Sequence, residues 1–152
     1  MVDWNGQGLP RGDPKMGRFY VDVDLANYDD VVRAMAGDID DSVVRRATIS
    51  ALVDTGATRL VVPEPIATQL GLRIDGSIGV RYADGHAADR PLAQGVQLTF
   101  GGRSSVFNAI VEPQRDTALI GAIVLEDLDF VVDCTQQRLV PRDPRHIISE
   151  IE

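Results

Sequence analysis

Asp54, Thr55 and Gly56 stand where residue types and spacing offer an arrangement for chemistry. In "ALVDTGATRLVVP", residues 51–63, an aspartate closes an apolar run, small turn-forming residues follow, and a second apolar run stops at Pro63. Such a turn can hold a carboxylate still, ready to react, while backbone N–H groups and the Thr55 hydroxyl surround it. The same pattern also describes an ordinary capped turn in which the aspartate only closes the corner. Other chemistries have less to build on. Cys134 is the only cysteine, which rules out an intramolecular disulfide and suits a reducing compartment. A thiol nucleophile would need a basic partner, and His86 and His146 fall in segments expected to be exposed, so Cys134 reads as a small core residue. The scarcity of Cys and His argues against a metal site, and the expectation is no metal and no cofactor.

The elements around the motif read as short strands. "FYVDVDL" alternates with period two and puts Phe19, Val21, Val23 and Leu25 on one strand face. "VVRRATISALV", residues 43–53, is rich in β-branched residues and leads straight into Asp54. Residues 26–42 fit a helical turn or a long surface loop equally well. After Pro63, "EPIATQLGL" spaces Ile66 and Leu70 for one short helix, with Gly71 at its C-terminal end. Asp84-Gly85 lies between potential strands in residues 79–92 and predicts a projecting hairpin with a type I′ turn. Two further strands flank Gly101-Gly102, "ALIGAIVLEDL" breaks at Gly121, and "DFVVD" with "RLVP" supplies the last strands. Many short strands, close turn signals and one or two short helices predict an all-β, barrel-like domain.

At 152 residues, 44% hydrophobic and 25% charged, the chain can bury a core without staples and has the composition of a globular protein. Its net charge of −8 opposes nucleic acid as a partner, since phosphate binding depends on clustered Lys and Arg. Arg138, Arg142 and Arg145 are interleaved with Asp143 and read as a solvated tail. The opening residues lack the cationic start and apolar segment of a secretory signal, and no run is long enough to span a membrane. The expectation is a cytoplasmic protein without membrane contact.

In the order and spacing of these motifs the chain resembles the retropepsin-like aspartic proteases, the single-domain relatives of pepsin. Three features carry the resemblance in order: "LVDTGAT" at residues 52–58, the Asp84-Gly85 hairpin where that family has its flap, and "ALIGA" at residues 118–122, the apolar-apolar-Gly motif beside the catalytic loop. Ala122-Ile123 and "YADGHAAD" depart from the viral pattern of Arg-Asn and a glycine-rich flap, which points to a cellular or prokaryotic type. The resemblance implies a closed retropepsin-like β-barrel over residues 16–141, preceded by a loose extension at 1–15 and followed by a tail at 142–152.

It also implies an activity. Catalysis of this kind needs two carboxylates close enough to share a proton, and one Asp-Thr-Gly per chain supplies half of that pair. Two protomers about a two-fold axis would supply both, so a homodimeric aspartic endopeptidase acting on peptides or proteins is expected. By the resemblance, Asp54 activates water, Thr55 hydrogen-bonds across the interface and Gly56 permits close approach. Ala57 and the flap residues Tyr82, Ala83, Asp84 and Gly85 cover the substrate, and Leu119, Ile120 and Gly121 support the loop. The alternative is a catalytically silent dimer of the same fold that binds an extended peptide by strand addition.

Overall fold

The computed structural model describes residues 18–147 and 149–151, so the expected extension at 1–15 lies outside the described residues. Strand β1, Arg18–Asn27, turns Phe19, Val23 and Leu25 into the core, with Val21 packed against it. It pairs antiparallel with β2, Arg46–Asp54, from Arg18↔Asp54 to Ala26↔Arg46. The segment between them, open on sequence grounds, forms helix α1, Tyr28–Met35, and a 3₁₀ turn at Asp41–Val43. Asn27 caps α1 by accepting from the Asp30 N–H, and its amide donates to Leu70 O and Gly71 O at 2.8 and 3.2 Å. Asp30, buried in the first turn, takes a two-pronged ion pair from Arg45, which holds its carboxyl down at about 2 against the opposing effect of burial.

Strand β3, Leu60–Pro63, leads into helix α2, Glu64–Gln69. Strands β4, Arg73–Arg81, and β5, Ala87–Phe100, form the expected projecting hairpin, but its turn differs in type. Tyr82 O accepts from the Gly85 N–H at 2.8 Å, Tyr82 N–H donates to His86 O at 2.9 Å, and only Gly85 takes a positive φ, +94°. A type I′ turn would force Asp84 into the left-handed region, whereas a three-residue loop with a bulge needs only glycine there. The two-residue turn with both φ positive occurs instead at Gly101-Gly102, between β5 and β6, Arg103–Glu112.

Strand β7, Ala118–Ile120, inserts between β2 and β3, parallel to the first and antiparallel to the second. Helix α3, Ala122–Leu128, follows, then the hairpin of β8, Phe130–Asp133, and β9, Arg138–Pro141. The main sheet runs β1-β2-β7-β3-β6-β5-β4, and pairing of β1 with β5 closes its first six strands into a barrel with β4 outside the ring. Leu25, Val53, Leu60, Val62, Leu98, Ile120 and Val124 fill the interior, each nearly or wholly removed from water. Cys134 is exposed rather than in the core, because the chain turns there and Asp133 accepts from the Gln136 N–H. Arg138, Arg142 and Arg145 are each ion-paired, to Asp133, Asp129 and Asp143. No helix among the described residues is long and apolar enough to cross a membrane.

Candidate active site

Strand alternation and two ladders fix Asp54. Ala51 and Val53 point into the core, so Leu52 and Asp54 lie on the other face of β2, between β1 and β7. The strand ends there because the chain turns: Ala57 N–H donates to Asp54 O at 3.0 Å. Both carboxylate oxygens are engaged. Gly56 N–H donates to Oδ1 at 2.9 Å, and Arg18 Nη2 donates to Oδ2 at 3.0 Å. The side chain is 18% exposed, so the carboxylate is held in place yet reachable. Thr55 beside it is exposed and makes no side-chain hydrogen bond among the described residues.

The segment after Gly56 is clamped onto the start of α3. Ala122 N–H donates to Ala57 O and Ile123 N–H to Thr58 O, both at 2.9 Å. This approach is so close that a Cβ on Gly121 would lie 2.5 Å from the Thr58 carbonyl carbon and 2.7 Å from Arg59 N. Leu119 pairs with Leu52 on one side and Val61 on the other, and Ile120 pairs with Val53. The structure thus brings "LVDTGAT" and "ALIGA" into direct contact.

A groove of about 640 Å³ opens alongside. Ala57, Thr58, Val61 and Leu119 form one wall, and Ile78, Val80 and Tyr82 of the hairpin form another. Tyr82 is anchored there: its hydroxyl donates to the buried carboxylate of Glu112 and accepts from Arg90 Nε at 2.7 Å. Arg90 Nε also pairs with Glu112 Oε1 at 3.2 Å, and His86 stacks on the Tyr82 ring at 4.5 Å. Burial pushes the Tyr82 phenol up, and its bond to Glu112 adds to the rise. Ala83, Asp84 and Gly85 sit at the exposed tip outside this groove, where Asp84 Oδ1 accepts from the His86 N–H at 3.0 Å.

Three contributors escaped the sequence reading: Arg18, Glu112 and Arg90. Arg18 precedes the recognised strand by one residue, but only the register Arg18↔Asp54 puts it on the carboxylate. Glu112 and Arg90 sit in the strands that flank the Gly101-Gly102 and Asp84-Gly85 turns, with nothing local to show that they meet Tyr82.

A family model described as gag-polyprotein putative aspartyl protease matches residues 41–127. No curated protein matches the chain. Among solved structures 230 chains match; one is the EIAV protease complexed with the inhibitor HBY-793, 22% identical, over 53% of this chain and 77% of that chain, with a TM-score of 0.47. The family match runs from the 3₁₀ turn before β2 to the last turn of α3, more than half of the sequence, and takes in the Asp54 turn, the hairpin and the Gly121 contact. The chain belongs to the gag-polyprotein aspartyl protease family.

Proposed function

We propose that the protein is an aspartic endopeptidase active as a homodimer, with Asp54 of each protomer supplying one carboxylate of a shared pair. The observation that carries this reading is the Asp54 carboxylate itself, held by Gly56 N–H and Arg18, 18% exposed, with Ala57 and Thr58 continuing from it into the groove. This sequence holds one Asp-Thr-Gly, and in this reading a second copy of the chain supplies the other carboxylate. In the pair, one ionised Asp54 takes a proton from a bound water as its oxygen attacks the scissile carbonyl. On the other, Oδ2 exchanges its bond from Arg18 for the shared proton and donates that proton to the carbonyl oxygen. Collapse of the tetrahedral intermediate breaks the C–N bond as a proton passes to the departing nitrogen.

The remaining residues take supporting roles in this reading. Gly56 orients the carboxylate through its N–H, and Thr55, exposed in the single protomer, bonds across the interface to the partner loop. Leu119, Ile120 and Gly121 hold the Asp54 turn in position. The hairpin acts as the flap: Tyr82 lies over the peptide, while Ala83, Asp84 and Gly85 form the tip that moves to admit it. The test is incubation of the purified protein with a diverse peptide mixture from acidic to neutral pH, beside Asp54→Asn. Asparagine keeps the shape but can neither take a proton from water nor carry the shared one, so cleavage is expected to fall about 10³-fold or more. A folded Asp54→Asn protein that cleaves as fast as wild type would overturn the assignment. Tight peptide binding without cleavage by wild type would point instead to the silent peptide-binding dimer.

A further inference from the structure

We infer that the groove selects peptides carrying an acidic side chain, through Arg59, Arg81 and Arg115; this rests on the reading of the groove as a peptide site. The molecule is acidic overall, with a net charge of −8, and its arginines are mostly spoken for. Nine of them are ion-paired to Asp or Glu: Arg18, Arg45, Arg46, Arg73, Arg90, Arg103, Arg138, Arg142 and Arg145. Among the described residues four arginines have no such partner, Arg33, Arg59, Arg81 and Arg115, and the last three all line this one groove.

Each of the three is positioned, but by neutral acceptors. Arg59 Nη1 donates to Asn108 Oδ1 at 3.0 Å, and Arg81 Nη1 to Gly85 O at 3.0 Å. Arg115 Nε donates to Thr117 O at 3.0 Å and its Nη2 to Thr117 Oγ1 at 3.2 Å. These bonds orient each guanidinium without cancelling its charge, and each keeps N–H donors free for a carboxylate. The one acid lining the groove, Glu112, is already engaged by Arg90 and the Tyr82 hydroxyl. Asp54, just before the groove, is engaged by Arg18. The apolar walls of Val61, Ile78, Val80, Ile110 and Leu119 offer these charges no counter-charge of their own, and a bound peptide that covers the groove would strengthen their field. An acidic side chain of a bound peptide is the counter-charge this arrangement lacks.

The test uses the full chain and short apolar peptide pairs that differ only by Glu or Gln at one position near the scissile bond, moved through each position in turn. At the position seated in the groove, kcat/KM is expected to favour Glu by about tenfold, the size of a charge-assisted hydrogen bond. The preference should shrink as salt is raised and fall further in Arg59→Gln, Arg81→Gln and Arg115→Gln. The salt series on wild type keeps the test decisive where a variant fails to fold. A non-cleavable reduced-amide version of the same pairs is titrated in parallel by calorimetry. Cleavage with no Glu preference at any position overturns the inference and leaves the protease reading standing. Salt-sensitive, Glu-selective binding without cleavage supports the inference while proteolysis fails. Neither cleavage nor charge-selective binding overturns both.

Discussion

Asp54 is held from two sides, by the Gly56 N–H of its own turn on Oδ1 and by the Arg18 guanidinium of β1 on Oδ2. An apolar run ending in Asp-Thr-Gly is a local pattern, and the Gly56 N–H that bonds Oδ1 is two residues away. Arg18, by contrast, arrives from 36 residues earlier and depends on an antiparallel register that no local pattern encodes. Gly121 is a middle case: the apolar-apolar-Gly motif was visible, while the reason for glycine is tertiary. Its φ of −98° suits any residue, so the constraint is space, with Thr58 and Arg59 backbone atoms where a Cβ would go. Backbone cannot swing aside as a flexible side chain can. Gly121→Ala is therefore expected to destabilise the fold by about 2 kcal/mol, within the range for overpacking, read as a lower urea midpoint at unchanged slope. Stability equal to wild type would mean that the Ala57–Arg59 segment is free to move away from α3.

At the scale of elements, β1, α2 and the hairpins were readable because each has a local signal: period-two alternation, Gly71 after a short helix, and glycine at a tight turn. Helix α1 was ambiguous because its cap, Asn27, is also the last residue of β1, and much of its support comes from Leu70, Gly71 and Arg45. The β4–β5 hairpin shows the same division. Its turn was local, but its anchor joins Tyr82, in the loop after β4, to Arg90 within β5 and to Glu112 at the end of β6. An exposed tip with few apolar contacts opens easily unless something ties its base. Tyr82→Phe keeps the ring and its stacking on His86 while removing the hydroxyl, leaving the Glu112 carboxylate short of one donor. The expected loss is about 1 kcal/mol, confined to the hairpin. It should appear as roughly fivefold faster amide exchange around Ala83–His86 with the barrel unchanged, since 1 kcal/mol is about that factor. Unchanged exchange would show that the hydroxyl does not hold the hairpin.

For the whole molecule, strand order along the chain was legible and strand order in space was not. The closing pairs, Asp24↔Thr99 to Asn27↔Val96, and the insertion of β7 between β2 and β3 join segments far apart in sequence, where pairing is decided by the packing of the entire core. That closed barrel presents a single Asp54, so the proposed chemistry makes activity a property of two molecules rather than one. This has a quantitative consequence that separates it from a one-chain mechanism. When wild type and Asp54→Asn are mixed in equal amounts and allowed to exchange partners, random pairing leaves about a quarter of the dimers with two aspartates. If both carboxylates are needed, activity at fixed total protein falls to that quarter. If each chain works alone, or if one aspartate per dimer suffices, it stays at about half or above. A site shared between two protomers also makes activity per chain rise with concentration and level off once dimers are complete, which sedimentation over the same range can follow. Activity that falls only to one half on mixing, with exchange verified by labelled subunits, would rule out the shared pair and assign whatever Asp54 does to the single barrel.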